Sequence, residues 1–310
     1  MPVIMGRIRD AVSSVIEGKD EQITTTLVTL LAEGHLLIED VPGVGKTMLA
    51  RALGRSIEAS VRRIQFTPDL MPSDITGVSI FNQESREFEF KPGGIFANIV
   101  VGDEINRASP KTQSALLEAM AEHQVSVDGR TYQLASPFMV IATQNPIEME
   151  GTYPLPEAQR DRFLARIEMG YPARSAELAM MDSRGTTDPL DHLRPVTNAA
   201  TVKALARRTR DVYVAPAVRD YIVSITTATR TSSDLKLGAS PRSSLHLMAA
   251  ARAHAALESR DYVIPDDVAG LATVVLAHRV LPSVDAQLAR KDATSIVKAL
   301  VSQVAVPARR

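Results

Sequence analysis

Lys46 and Thr47 end a loop rich in glycine and proline, with the sequence VPGVGKT at residues 41–47. A short apolar strand from Leu36 leads into this loop, and a helix is predicted to begin directly after it. Glycine lets successive backbone N–H groups turn toward a phosphate, and the N-terminus of the helix adds partial positive charge. In such a loop the lysine reaches the β- and γ-phosphates and the threonine hydroxyl binds Mg²⁺. The stretch is therefore predicted to bind a nucleoside triphosphate.

Asp40 stands where the pattern G-x-x-x-x-G-K-[ST] has its first glycine. A carboxylate beside a triphosphate is tolerable only if it points away or meets a cation. The alternative interpretation is an ordinary strand, turn and helix with a lysine at the helix start. Because the helix dipole disfavours a lysine there, and because the strand and helix are correctly placed, we favour a phosphate loop.

Two further apolar strands end in polar residues, one in Asp103 and Glu104 and the other just before Asn145. In open α/β sheets, ligands bind outside the carboxyl ends of the strands, so a parallel sheet would bring these residues to one rim with the phosphate loop. Asp103 is placed to orient the Mg²⁺ hydration shell beside Thr47, and Glu104 is a candidate for polarising the attacking water. Asn145 could orient that water or contact the γ-phosphate.

Two arginines are candidates for stabilising phosphoryl charge. Arg162 lies in a segment, residues 156–163, that is too charged for a core helix. An arginine there could act in a neighbouring subunit as an arginine finger, and the alternative is a surface helix held by ion pairs. Arg242 lies in the first turn of a predicted helix, where a cation is disfavoured unless an anion is near. We interpret it as a second-domain arginine that reaches the nucleotide and links lid position to nucleotide state.

The elements that must position these residues fall into two parts. Over residues 1–180, strands separated by helices predict a parallel sheet with helices on both faces, and hairpins are predicted at about 78–90 and 125–134. A polar linker is predicted at 181–195. A small all-helical domain is predicted at 196–310, where strand signals nearly vanish. Its helices are predicted to begin near Asn198, Pro216, Pro241 and Pro265.

The composition narrows the class of protein. Lysine and arginine total 35 against 36 acidic residues among 310, so the net charge gives no argument for nucleic acid or an anionic membrane. The absence of cysteine excludes disulfides and thiolate metal sites and fits a reducing compartment. The sequence has no signal-peptide core and no window of membrane-spanning length, so we expect cytoplasmic residence.

Taken together, the motifs closely resemble the MoxR family of AAA+ ATPases, and the resemblance runs over nearly the whole chain. The resemblance implies an αβα AAA+ core with a helical lid, and a ring, commonly a hexamer, with ATP bound between subunits. Proteins of this family act as chaperone-like remodelers in protein maturation or metal-cofactor insertion, often with a separate partner bearing a von Willebrand factor A domain. The stretches that carry the resemblance are VPGVGKT at 41–47, FTPDLMPSDITG at 66–77, VVGDEINRASPKTQSALLEAM at 100–120, IATQNP at 141–146, LPEAQRDRF at 155–163 and GASPR at 238–242.

The resemblance also implies a role for each matching residue. Lys46 and Thr47 match the Walker A pair, and Asp103 and Glu104 match the Walker B pair. Sensor 1 is matched by Asn145, the arginine finger by Arg162 with Arg160 as a second candidate, and sensor 2 by Arg242. The family often carries an aspartate at the position of Asp40. The residues expected to contact ATP or ADP are Ile16 and Gly18 beside the adenine, Pro42, Gly43, Val44, Gly45, Lys46, Thr47 and Met48 in the loop and helix start, and Asp103, with Mg²⁺ expected at Thr47 and Asp103.

Three functions are open at this stage. The leading hypothesis is an ATP-driven remodeler of protein clients, because the hydrolysis residues are complete and the two hairpins are suited to touching a substrate or neighbour. A second hypothesis is a DNA motor related to AAA+ helicases, which the near-neutral charge argues against. The third is a nucleotide-gated scaffold in which ATP sets assembly and turnover is incidental.

Overall fold

The computed structural model describes residues 2–41, 43–145, 152–172 and 188–307, together with residues 174, 177, 178 and 181. Two amphipathic helices open the chain, α1 (Pro2–Ser13) and α2 (Asp20–Leu31). Gly18 makes the turn between them with φ +69°, a left-handed conformation that glycine adopts without steric cost. Both helices pack their apolar faces into one core cluster with the sheet.

Five parallel strands form the central sheet, in the order β2-β5-β8-β1-β9. In register, Glu39 of β1 lies beside Gln144 of β8, and Gln65 of β2 lies beside Asp103 of β5. The carboxyl ends of these four strands therefore meet at one rim, as the sequence predicts. The strands are β1 (Leu36–Glu39), β2 (Val61–Gln65), β5 (Ile99–Asp103), β8 (Met139–Gln144) and β9 (Ala165–Ile167).

Both faces of the sheet are covered, so the strands at its centre are apolar throughout. Side chains alternate between the faces: Ile99 and Val101 join the cluster with α1 and α2, whereas Val100 joins the cluster on the other face. The helices of this part are α3 (Lys46–Ser56), α4 (Pro72–Thr76), α5 (Pro110–Glu122) and the single turn α6 (Glu157–Arg160). The Ser109 hydroxyl caps α5 by accepting from the Thr112 backbone N–H, as the Ser-Pro pair predicts.

Two antiparallel hairpins lie outside the sheet, where the sequence predicts them. They consist of β3 (Val78–Asn82) with β4 (Glu87–Lys91), and β6 (Gln124–Val127) with β7 (Arg130–Gln133). The rings of Phe90 and Tyr132 stack with centroids 3.8 Å apart. This contact joins the base of the first hairpin to the second.

Helices dominate the C-terminal part. One antiparallel pair of very short strands, β10 (Leu235–Leu237) and β11 (Leu281–Pro282), lies among them, so this part is not entirely helical. Segments of two or three residues are too short for an alternating pattern to reveal. The helices are α7 (Pro189–His192), α8 (Ala199–Thr209), α9 (Pro216–Thr231), α10 (Pro241–Leu257), α11 (Pro265–Leu276), α12 (Val284–Leu288) and α13 (Ala293–Gln303).

The helix starts expected near Asn198, Pro216, Pro241 and Pro265 all agree with the structure. Among the helices of the described ranges, none combines the length and hydrophobicity that crossing a bilayer requires.

Candidate active site

The loop between β1 and α3 has the backbone of an anion cradle. Gly43 and Gly45 adopt φ +87° and +92°, left-handed values that a side chain would make costly. Gly45 is the N-cap of α3 and contributes no side-chain cap, so the first N–H groups of the helix remain available to a ligand. Val44 and Met48 are half-buried beside it. Pro42, also expected to contact the nucleotide, lies outside the described residues.

Asp40 turns away from the cradle. Its Oδ1 accepts from the Val41 backbone N–H at 2.7 Å, and its Oδ2 accepts from the Gly170 N–H at 2.5 Å. The Asp40 carbonyl in turn accepts from Lys46 Nζ at 2.8 Å. The Asp40 carboxylate, which stands in place of the first glycine of the usual pattern, therefore faces the protein and holds the loop. Because it points away from the cradle, it is tolerable beside a triphosphate.

Lys46 lies among carboxylates that favour its charged form. Partial burial lowers the pKa of Lys46, while Asp40, Asp103 and Glu104 act in the opposite direction. Burial has the larger effect, so the pKa of Lys46 lies below its ordinary value. A triphosphate in the cradle would meet the same cation.

Thr47 and Asp103 lie side by side, as the Mg²⁺ prediction requires. The Thr47 hydroxyl donates to Asp103 Oδ2 at 3.4 Å, and the Thr143 hydroxyl donates to Oδ1 at 3.2 Å. Arg63 Nε also donates to Oδ2, at 2.5 Å. Asp103 is nearly buried at the end of β5, so its carboxylate has a fixed direction toward the phosphate loop.

Glu104 follows at the same rim, in a left-handed conformation with φ +56°. Its backbone N–H donates to the Thr143 hydroxyl at 3.0 Å, and its Oε2 accepts from Gln65 Nε2 at 2.9 Å and Arg107 Nη1 at 3.0 Å. Asn145, which is buried, comes directly after β8. The structure thus brings Glu104 and Asn145 to the strand ends beside the phosphate loop.

Three residues at the rim are not among the site residues expected from the sequence: Arg63, Gln65 and Thr143. Arg63 and Gln65 lie on the same face at the carboxyl end of β2, and Arg63 Nη2 donates to Gln65 Oε1 at 3.1 Å. The sequence does contain a sign of the first two: β2, which pairs with β5, has polar residues at positions i and i+2 at its carboxyl end. Recognising it required knowing that β2 and β5 are neighbours.

The turn expected along the adenine lies against the phosphate loop. A Cβ at Gly45 would lie 4.0 Å from Ile16 Cδ1, so Ile16 and the start of α3 form adjoining walls. Gly18 makes the turn that follows, and Lys19 Nζ donates to the carbonyls of Gly170 and Tyr171 at 3.3 and 3.0 Å. These contacts fix the turn beside the segment that also binds Asp40.

Arg242, expected to reach the nucleotide, forms an ion pair with the segment that leads into β9. Arg242 Nη1 lies 3.8 Å from Asp161 Oδ2. Three residues later, the Leu164 N–H donates to the carbonyl of His35, just before β1. Arg242 therefore lies beside the segment that enters β9 at the amino end of the strand. The lid helix α10 is anchored at that end.

Arg162 lies in the segment that Arg242 contacts. Its Nη1 donates to the carbonyl of Leu117, in the second half of α5, at 2.5 Å. The segment before Arg162 begins near the rim, where the Tyr153 N–H donates to the carbonyl of Asn106. From there it runs along α5 to Leu117. Arg162 thus follows directly after Asp161, the residue that pairs with Arg242, and Arg160, the second candidate, precedes it.

The residues present fit a nucleotide with Mg²⁺. The cradle of N–H groups, the lysine and the apolar wall at Ile16 match triphosphate and base. A hydroxyl and a single carboxylate suit Mg²⁺, which usually keeps several waters and takes its other ligands from phosphate.

Comparison with known proteins finds similar sequences and a similar fold. Residues 35–165 match the model of the "ATPase family associated with various cellular activities (AAA)", and residues 227–300 match that of the AAA lid domain. The chain is 51% identical to the uncharacterized protein YeaC of Bacillus subtilis, over 99% of this chain and 96% of YeaC. It is 43% identical to Chaperone MoxR1 of Mycobacterium tuberculosis, over 96% and 80% of the two chains. Its fold is similar to the crystal structure of a presumed ATPase from Cytophaga hutchinsonii, with a TM-score of 0.91, 34% identity and coverage of 99% and 96%.

Proposed function

Since this chain belongs to the MoxR family of AAA+ ATPases, we propose that it binds ATP with Mg²⁺ and hydrolyses it within a ring of identical subunits to remodel other proteins. The observation that carries the proposal is the shared rim, where the Thr47–Asp103 pair and Glu104 lie beside the glycine cradle. Cytoplasmic action, where ATP is available, fits this role.

Each residue at the rim has a distinct task in this proposal. Lys46 contacts the β- and γ-phosphates, and Thr47 and Asp103 are the residues that would hold Mg²⁺. When bound, Mg²⁺ neutralises phosphate charge as it develops. Glu104 polarises the attacking water, and Asn145 orients it. Gln65 and Arg107, which donate to Glu104, keep its carboxylate at the rim.

The two arginines are the reason for proposing a ring. Phosphoryl transfer is accelerated when an arginine stabilises the charge of the transition state. In the described part of the chain, Arg162 donates to Leu117 and Arg242 pairs with Asp161. Neither partner belongs to the phosphate loop, which supports the action of both arginines on the nucleotide of a neighbouring subunit. We propose that both serve in trans, in a ring that is commonly a hexamer in this family.

Client proteins would be contacted by the first hairpin. Phe81 and Phe88 are 50% and 69% exposed, and their rings meet edge to face at 5.4 Å. Exposed aromatic side chains of this kind suit transient binding of unfolded segments. A relative, MoxR1, is described as a chaperone, which supports the same role here. A separate partner with a von Willebrand factor A domain, and service in metal-cofactor insertion, are further proposals from the family resemblance.

The rim assignment is tested with Lys46→Ala, Glu104→Gln and the control Glu118→Gln, which makes the same chemical change at an exposed position of α5. We expect Lys46→Ala to abolish ATP binding. Glu104→Gln should bind ATP and lose turnover by roughly 10²–10⁴-fold, and Glu118→Gln should behave as the unmodified protein. Turnover by Glu104→Gln at the unmodified rate would show the assignment to be wrong.

The arginines are tested by mixing subunits. Arg162→Ala and Lys46→Ala subunits are each expected to be inactive alone, but each supplies the part that the other lacks. A mixture should regain turnover if the finger works in trans. No recovery in rings proven to contain both subunits would contradict that role.

Two measurements separate the other hypotheses. Salt-dependent DNA binding that stimulates turnover would favour a DNA motor, whereas no binding at low salt would eliminate it. A scaffold in which turnover is incidental predicts that Glu104→Gln supports function in cells. Failure of that variant to complement a deletion would count against the scaffold.

A further inference from the structure

Asp161 joins the two segments that carry the proposed trans arginines. Its two carboxylate oxygens each accept from the Ser240 hydroxyl at 3.0 Å, and Oδ1 also accepts from the Ser243 hydroxyl at 3.4 Å. Ser240 is the N-cap of α10, so Asp161 lies at a helix N-terminus, where a negative charge is stabilised. Arg242, in the first turn of the same helix, is 3.8 Å away.

Arg279 holds the same junction from the interior. Its side chain is 1% exposed, and its Nη2 donates to the carbonyls of Phe163 and Leu164 and to Nδ1 of His246. Its Nη1 lies 3.4 Å from Asp161 Oδ1 without forming a directed hydrogen bond, so that contact is an ion pair.

Asp161 supplies negative charge to two arginines at this junction, Arg242 from the start of α10 and Arg279 from the interior. Burial lowers the pKa of Arg279 to about 10, against the opposing effect of Asp161, so the guanidinium is charged at neutral pH. The pKa of His246 falls to about 3 because of burial and then the adjacent Arg279 and Arg242, so its ring is a neutral acceptor. Asp161 is then the carboxylate that meets both Arg279 and Arg242. Leaving a buried arginine without its carboxylate is costly.

We propose that Asp161 and Arg279 are positioning residues that clamp the Arg162 segment to the start of α10, so that Arg162 and Arg242 reach the neighbouring subunit's nucleotide as one unit. The inference rests on the proposed trans arrangement. When either arginine contacts the phosphates of the neighbouring nucleotide, the Arg162 segment and the start of α10 move together, because the Asp161 carboxylate connects them.

The test uses Asp161→Asn in the full chain, which keeps the size of the side chain and removes its charge. Turnover should fall roughly 10- to 100-fold, the range expected when catalytic groups are displaced by about 1 Å. ATP affinity should be unchanged, because the phosphate loop of the same subunit is intact. Mixing with Lys46→Ala subunits should restore turnover, since those subunits present correctly held arginines to the Asp161→Asn site.

Asp267→Asn is the matched control for loss of stability. Like Asp161, Asp267 is a carboxylate held by an arginine, and Arg260 donates to both of its oxygens at 2.6 Å. Asp267 is buried, and its partners belong to the lid alone. We expect Asp267→Asn to lower the melting temperature. Mixing with Lys46→Ala subunits should not restore any turnover that this variant loses. A purely structural role for Asp161 predicts that same pattern.

The outcomes distinguish the inference from the function on which it rests. Unchanged turnover in Asp161→Asn overturns the inference alone. So does a loss of turnover that mixing with Lys46→Ala subunits does not restore, when the same mixing restores turnover to Arg162→Ala. If Arg162→Ala also fails to recover, the trans arrangement fails and the inference falls with it. Should Asp161→Asn not fold, Ser240→Gly removes one donor to Asp161 while keeping a residue tolerated at an N-cap. That variant should show a smaller loss with the same recovery, and turnover equal to the unmodified protein would overturn the clamp.

Discussion

The Asp40 carboxylate accepts a hydrogen bond from the Gly170 backbone N–H at 2.5 Å, which ties the phosphate loop to the chain that leaves the edge strand β9. Gly170 has φ +61° and so presents its N–H from a left-handed turn that glycine favours. The other carboxylate oxygen accepts from Val41. The loop is therefore held at its entrance by a side chain as well as by its own backbone.

Asp40→Ala should weaken ATP binding because it releases this tether. Hydrogen bonds to a charged acceptor contribute about 1.5–3 kcal/mol each. If about 1.4 kcal/mol of this stabilisation is lost from the ATP-bound loop, the Kd for ATP rises roughly tenfold. Asp40→Gly should weaken binding as well, although it restores the glycine of the usual pattern. Titration with a fluorescent ATP analogue measures the effect, and exposed Asp69→Ala is the control. ATP binding by Asp40→Gly as tight as in the unmodified protein would contradict the tether.

Arg63→Ala should lower the Mg²⁺ concentration needed for half-maximal turnover. The Arg63 guanidinium lies 2.5 Å from Asp103 Oδ2, so it competes with Mg²⁺ for the same carboxylate. Because the arginine side chain is 59% exposed, the ion pair contributes at most about 1 kcal/mol, or a factor of about five. The control is Arg62→Ala, since neighbouring residues of a strand point to opposite faces. A Mg²⁺ requirement that rises in Arg63→Ala would show that the arginine supports the site.

Much of the rim could be predicted from sequence because its signals are local. β5 is a run of buried apolar residues ending in Asp103, and Ser109 with Pro110 marks the start of α5. The place of Arg242 could not be predicted in this way. The pattern around it indicates only a helix N-terminus, whereas its position depends on which part of the core that helix packs against.

The same limit applies to Asp161. In the sequence it is one charge among several in residues 156–163, and its partners Ser240 and Arg279 are 79 and more than one hundred residues away in the chain. Its importance comes from its contacts at a junction between distant segments. No local periodicity records those contacts, so only the folded structure reveals them.

Replacing Phe81 and Phe88 by serine should reduce binding of unfolded proteins while leaving basal ATP turnover unchanged. Both rings lie on the exposed hairpin, and the stack of Phe90 on Tyr132 at its base holds the hairpin in place without them. Binding of a permanently unfolded model protein and its stimulation of turnover are the measurements. Leu288→Ser, at a 79% exposed position of α12, is the control. Equal binding by the double variant and this control would remove the hairpin from the proposed client surface.

His35 couples the start of β1 to two neighbouring elements. Its Nδ1 accepts from the Val140 backbone N–H at 3.0 Å, and its Nε2 donates to the carbonyl of Met120 at 3.1 Å. This arrangement requires the neutral ring, because a proton on Nδ1 would face the N–H of Val140. Burial lowers the pKa of His35 to about 4, although the hydrogen bond to Met120 opposes the shift.

The free energy of unfolding should therefore fall as the pH drops from about 6.5 to about 4. In that range the unfolded chain binds a proton at His35 and the folded chain does not, so acid favours unfolding. At about 1.36 kcal/mol per pKa unit, His35 accounts for about 3 kcal/mol across the window, and below pH 4 its contribution stops changing. His246 and His278, whose pKa values are also lowered by burial, add to the same trend.

Urea unfolding at several pH values measures how steeply the free energy of unfolding depends on pH. The slope should be shallower for His35→Gln than for the control His192→Gln, which alters an exposed ring. Equal slopes in the two variants would show that His35 is not the group whose protonation opposes folding.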